Sequence, residues 1–394
     1  MGGSYGPDIP GEVAVVGGIS EALVRFGPAW AARYHPAAHI ATVLQHIRDC
    51  RTPALGGHVT VCPECGEEHT LYHSCRDRHC PRCQYAQREA WLLARKEELL
   101  PQTYFHVVFT VPEALNEFIF SHQKAAYAAL FHAAWDTLKS FGEKAGVQLG
   151  MTALLHTWGS NLMFHPHLHC IVPGGGRRTD GDRWKTLPQI KAGEKEPFLF
   201  PVKALGDMFR AKYMAELSSV GKVSGAVRVK CFAKPWVVYA KSPVSGAEST
   251  LEYLSRYAYR LAIGDSRILA VDDENVAFEY KDYRDDGNVK QMTISGVEFV
   301  RRYAQHILPY RFVHIRHYGI LAPGNRKVLA CLQVEIGNPP VATRNRVRKC
   351  WKDIAAAQGL VMGLCPHCGT ALLIIVKVLP HIRSPERNPS FYVG

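Results

Sequence analysis

No stretch of this sequence approaches the roughly 20 consecutive apolar residues that a membrane-spanning helix needs. The opening residues, MGGSYGPDIPGEV, lack the basic and apolar blocks of a secretory signal, so a cytoplasmic protein is expected. No G-x-x-x-x-G-K-[ST] loop is present, which removes a P-loop motor from consideration. Internal repeats and low-complexity tracts are missing as well, which argues against solenoids and arrays. Acidic residues are the scarcer charge: 35 Asp and Glu against 47 Lys and Arg leave a formal net charge of +12. Lysine and arginine displace counterions from phosphate backbones, so a polyanionic partner is favoured, with nucleic acid first and no membrane.

The chain has 394 residues, more than one core usually serves, and two or three domains are expected. Twelve cysteines in a reducing compartment read as metal ligands or buried thiols rather than disulfides. Residues 1–18 read as a glycine-rich, poorly ordered start. The spacing of Ile40, Val43, Leu44 and Ile47 predicts a helix over 37–48, and a second helix is expected over 84–99, closed by Pro101. Beyond Pro101 the pattern changes: TYFHVVFTV reads as a strand and AAYAALFHAAWDTLKSFGEKAG as a long amphipathic helix. MTALLHTWG and HLHCIVPGGG then read as neighbouring strands joined through SNLMFHP. Helices near 202–219 and 248–259 and strands at PWVVYA, SRILAV and NVAFEYKDY follow. This alternation suggests an α+β fold with a mainly antiparallel sheet and flanking helices. The expected division is a small helical, zinc-binding N-terminal module at 1–100, a catalytic domain at 101–290 and a basic C-terminal region at 291–394.

Cys62-Pro-Glu-Cys65-Gly and Cys80-Pro-Arg-Cys83 are two knuckles separated by fourteen residues. Two such turns supply the four tetrahedral ligands of a closed structural zinc site. Cys75 and His79 stand near enough to replace one ligand, and Cys50, His58, His69 and His73 are weaker rivals. Arg76, Arg78, Arg82 and Arg88 surround the second knuckle, as expected of a metal-stapled module that approaches a phosphate backbone; a solvated basic face would look the same.

In Phe164-His165-Pro166-His167-Leu168-His169-Cys170, residues two apart share a face if the segment is a strand, so His167 and His169 converge while Leu168 enters the core. Two neutral imidazoles so placed can hold a divalent cation that polarises a phosphate oxygen. On its own such a pair is a weak signal. His156 on the preceding strand is the first choice for a third ligand, and His165 the alternative. In LEYLSRYAYR, helical spacing places Tyr253 and Tyr257 one turn apart, where both phenols can reach one phosphate, with Arg256 and Arg260 to steady it. An aromatic stripe buried against a sheet is the commoner fate of that spacing.

Taken in order, DCRTPALGGH, HCPRCQ, YFHVVFTVP, LLHTWGSNL, HPHLHCIVPGG, YLSRYAYRLAI, YKDYR and RHYGILA resemble the rolling-circle transposases of bacterial insertion sequences, the group numbered ninety-one, within the His-hydrophobic-His (HUH) nuclease superfamily. The resemblance spans most of the chain. It implies a metal-dependent single-strand endonuclease and strand transferase, with Tyr253 or Tyr257 forming a 5′-phosphotyrosine link. It further implies Mg2+ or Mn2+ at His167 and His169, Zn2+ in the N-terminal module, single-stranded element ends and target as partners, a host helicase or superhelical stress to open the duplex, and residence in bacterial cytoplasm at the nucleoid. Some catalytic folds of the superfamily take a third ligand from a glutamine one turn beyond the nucleophile; here Leu261 follows Tyr257 at that spacing and Tyr257 follows Tyr253, so the third ligand must come from elsewhere.

Cys365-Pro-His-Cys368-Gly is half of a further site, which Cys331 and Cys350 could complete, or simply two thiols in a tight turn. Arg311, Arg316, Arg326, Lys327, Arg344, Arg346, Arg348, Lys349 and Lys352 make the tail basic, as an auxiliary DNA surface or a solvated face. Two rivals stand beside transposase: a replication initiator or relaxase-like nicking enzyme, and a zinc-dependent DNA-binding regulator without catalysis, which leaves the joint histidine and tyrosine pairs unexplained.

Overall fold

The computed structural model describes residues 18–188, 199–241, 262–283, 285–337 and 363–381, with residues 258, 356 and 361. Helices α1 (Ile19–Tyr34) and α2 (Ala38–Asp49) come first, then the hairpin of β1 (Gly57–Val61) and β2 (Glu68–Tyr72), and α3 (Tyr85–Lys96). Two of these helices match the sequence expectation within a few residues, but α1 was not foreseen. Pro28 inside it interrupts what reads as helix, although Ile19, Leu23, Phe26 and Trp30 still form one buried stripe.

Next come β3 (Tyr104–Thr110), α4 (Asn116–Ser121), α5 (Gln123–Lys144), β4 (Val147–Gln148), β5 (Gly150–Trp158), β6 (Phe164–Pro173), β7 (Gly175–Arg178) and β8 (Trp184–Thr186). After α6 (Val202–Val220), α7 (Gly225–Phe232) and β9 (Val238–Lys241), a meander of β10 (Ile268–Val271), β11 (Asn275–Asp282) and β12 (Asn288–Ser295) leads into α8 (Gly296–Ala304), β13 (Ile315–Gly319), α9 (Arg326–Glu335) and β14 (Ile374–Leu379).

The fold is α+β. Its central sheet has the order β13-β5-β6-β3-β9, with every neighbouring pair antiparallel. One face is a conventional core. Phe105, Val107, Phe109, Ala153, Leu155, Leu168, Cys170 and Val172 pack on Leu130, Phe131, Leu138, Phe209 and Tyr213 of α5 and α6. Strand alternation sends the intervening residues to the opposite face, and that face carries the histidines. Pro166 sits in a central strand without breaking it, because it falls where the β5–β6 register shifts between His156 and Trp158 and no ladder bond is owed.

The packing does not follow the linear division at residues 100 and 290. Helix α8 packs on α1 in a second core with the β10–β12 meander, joining Leu23, Phe26, Phe278, Phe299 and Tyr303. Strand β13 completes the central sheet, and β14 pairs with β1. Segments assigned to a separate C-terminal region are thus woven into the N-terminal module and the catalytic sheet. A register of hydrophobic positions along the chain cannot reveal this, because strand pairing across hundreds of residues leaves no local trace. Among the described residues, no helix is long and apolar enough to cross a membrane.

Candidate nuclease site and cysteine clusters

Three strands build the histidine site. His156 on β5 stands directly opposite His167 on β6, and His169 follows on the same face. One ring nitrogen from each of the three lies within 4.8 Å of the others. His156 is 3 % exposed and His169 9 %. Burial drives the charged imidazolium forms out: His167 is pushed down to about 4, and His169 well below its ordinary value. Both are therefore neutral near pH 7, the state in which an imidazole offers a lone pair.

Hydrogen bonds orient the rings. Nδ1 of His167 lies 2.7 Å from the His165 carbonyl oxygen, so it carries the proton and Nε2 is left to face Nε2 of His169 at 3.0 Å. That separation suits two adjacent ligands on one cation with bonds of about 2.1 Å. His165 thus contributes its carbonyl, and His156 rather than His165 completes the cluster. Nδ1 of His169 meets Nε2 of His106, on β3, at 2.8 Å. The sequence reading missed His106. Its signal was present in YFHVVFT, where period-two alternation sets it on the face opposite Phe105 and Val107, but the strand pairing that brings it to His169 is not local.

Beyond the histidines the same face becomes apolar through Tyr104, Leu154 and Ile171, and buried Ala258 packs into that cluster. Nε2 of His314 donates to the Ala258 carbonyl at 3.0 Å. Ala258 follows Tyr257 in sequence, and the rest of the helix expected near 248–259 lies outside the described residues. Tyr253, Tyr257, Arg256 and Arg260 lie outside the described residues, as do Cys350, Arg344, Arg346, Arg348, Lys349 and Lys352.

The cysteines do not assemble as one site of Cys62, Cys65, Cys80 and Cys83. Two four-cysteine clusters form instead: Cys50, Cys75, Cys80 and Cys83, and Cys62, Cys65, Cys365 and Cys368. Hairpin β1–β2 carries the first knuckle away from the second, and each recruits its partners elsewhere. Cys331 does not join the tail knuckle in this arrangement, and Cys350 lies outside the described residues. In the first cluster, Sγ of Cys83 lies 3.5 Å from Cys50 and 3.7 Å from Cys75. Thiol donors from Cys50 and Cys75 press Cys83 toward the thiolate, the form that ligates metal.

The arginines of this module are largely occupied within the protein. Arg78 donates to the carbonyls of Phe312 and Pro309. Arg82 pairs with Asp265 at 2.7 Å and donates to the Cys50 carbonyl. Asp265 in turn accepts from the backbone of Ile19. Arg76 is exposed. Of the tail arginines, Arg316 is stacked 4.4 Å from the Phe131 ring centroid.

Two family models match the chain: "Transposase zinc-binding domain" over residues 22–111 and "Putative transposase" over 150–328. The first contains the whole Cys50, Cys75, Cys80, Cys83 cluster, and zinc is the metal of this module. The chain is 36 % identical over 396 residues to "Putative transposase y4qJ" of Sinorhizobium fredii, covering 94 % of this chain and 97 % of that one. It is 26 % identical over 284 residues to "Transposase for insertion sequence element IS801" of Pseudomonas savastanoi pv. phaseolicola, covering 69 % and 68 %. No solved structure matches. With both models placed in order and near-complete coverage of a relative, the chain belongs to the IS91-type family of insertion-sequence transposases.

Proposed function

We propose that this transposase cuts and rejoins single-stranded DNA through a tyrosine nucleophile, on the sheet face that carries His156, His167 and His169. The observation that carries the reading is the convergence of three imidazoles at one point, next to the apolar patch into which buried Ala258 packs. A divalent cation, Mg2+ or Mn2+, held by those three residues supplies Lewis-acid stabilisation of charge on a phosphate oxygen. The central antiparallel sheet, with its His-x-His strand in the middle, supports assignment to the His-hydrophobic-His nuclease fold.

The chain's own groups do the rest. The His165 carbonyl holds His167 in one tautomer, and His106 holds His169. The hydroxyl of Tyr257 or Tyr253 attacks phosphorus in line. A tyrosyl O–P bond forms and the bond to the 3′ oxygen breaks, while the phenol loses its proton and the 3′ oxygen gains one. The product is a 5′-phosphotyrosine and a free 3′-hydroxyl, and reversal at a new 3′-hydroxyl transfers the strand without ATP. Arg256 and Arg260 favour the ionised phenol and grip the phosphate. Two tyrosines allow one to retain a strand while the other cuts. Duplex opening falls to a host helicase or superhelical stress.

The test is incubation with labelled single-stranded element ends and manganese, followed by a denaturing gel. A covalent band lost in Tyr253→Phe/Tyr257→Phe supports the reading. A band that persists in that variant overturns the nucleophile assignment.

A further inference from the structure

We propose that Cys62, Cys65, Cys365 and Cys368 hold a second structural zinc ion, which clasps the C-terminal segment onto the N-terminal module. Cys365 and Cys368 lie beyond both matched regions, which end at residues 111 and 328. Sγ of Cys62 lies 3.6 Å from Sγ of Cys368, and Sγ of Cys65 3.7 Å from Sγ of Cys365. Four thiolates at bond lengths of about 2.3 Å in a tetrahedron stand about 3.7 Å apart, so these two separations suit one zinc ion. A disulfide would need sulfurs at about 2.0 Å.

The backbone is built for the same purpose. Both knuckles read Cys-Pro-x-Cys-Gly, and in both the glycine takes a left-handed φ, +73° at Gly66 and +69° at Gly369. A Cβ there would meet nothing within 4 Å, so conformation rather than space calls for glycine. Each glycine N–H returns to the carbonyl of its first cysteine, Gly66 to Cys62 at 3.0 Å and Gly369 to Cys365 at 2.9 Å. Cys80-Pro-Arg-Cys83 is followed by Gln84 and belongs to the other cluster. The knuckles are therefore twins that face each other, and β1 and β14 run antiparallel beneath them from Val61–Ile374 to Gly57–Leu379. Strand β14 is an exposed edge, with Ile375 59 % and Val378 72 % accessible, so little apolar burial holds it there. The metal supplies what the burial does not, and release of zinc frees the tail segment.

The test is zinc content per chain of the full-length protein, by elemental analysis. Wild type should carry two zinc ions; one would overturn the proposal without any variant. Cys365→Ser/Cys368→Ser should carry one, and adding Cys62→Ser/Cys65→Ser should leave that one in place, since all four residues share a site. Two ions retained in the first variant, or none in the second, would overturn it. Limited proteolysis of wild type and the first variant supplies a second reading: cleavage between residues 363 and 381 should accelerate at least tenfold without the clasp, and equal rates would overturn the tail-holding role.

Discussion

His106 and His169 sit on neighbouring strands with their ring nitrogens 2.8 Å apart, and the rings stack with an interplanar angle of 10°. In the proposed metal site, a proton on Nδ1 of His169 donated to His106 would leave Nε2 of His169 as the ligating atom, which would make His106 a positioning residue there. Replacing His106 with alanine should raise the manganese concentration for half-maximal cleavage by about 10- to 100-fold, and most of the rate should return at saturating metal. An unchanged metal titration would reject the role.

Removing a ligand is harsher than removing its orienter. His156→Ala, His167→Ala and His169→Ala should each abolish metal-dependent cleavage, with single-stranded DNA affinity nearly intact in a filter-binding assay. Tyr253→Phe/Tyr257→Phe should also spare affinity, since only two hydroxyls are lost. Cleavage at the wild-type rate by any ligand variant would remove that residue from the site.

Arg78 and Arg82 should behave as structural residues, and Arg76 as a surface one. Arg78→Ala removes donors to two backbone carbonyls, and Arg82→Ala leaves Asp265 without its cation, so each should cost about 1–3 kcal/mol in urea unfolding. Arg76→Ala should leave stability unchanged and reduce the salt dependence of DNA binding by about one counterion. Equal stability of all three variants would show that the internal contacts of Arg78 and Arg82 carry no weight.

His306 is buried between Thr157 and the Leu162 carbonyl, and burial pushes it down to about 4. Its folded value lies below its unfolded one, so the unfolded chain takes up the proton first as pH falls. Stability from this residue is complete above about pH 6.5 and is lost progressively down to about pH 4, by on the order of 3 kcal/mol. His306→Gln should reduce the pH slope of the unfolding free energy in that window by up to about 1.4 kcal/mol per unit. Parallel curves for wild type and variant between pH 7 and pH 4 would count against a neutral buried His306.

Chemistry-bearing residue types and local periodicity were legible in the chain alone. The alternation in HPHLHCIV requires Leu168 and Cys170 on one face and the histidines on the other, because a strand has period two whatever it pairs with. The Cys-Pro-x-Cys turns likewise state that pairs of thiolates will converge. What pairs with what was decided only in three dimensions. Cys62 and Cys65 are nearer in sequence to Cys80 than to Cys365, yet the β1–β14 pairing carries them to the tail. His106 reaches His169 through the β3–β6 register, and α1 finds its cover in α8. Sequence patterns report the environment each residue needs, and long-range pairing selects which distant segment provides it.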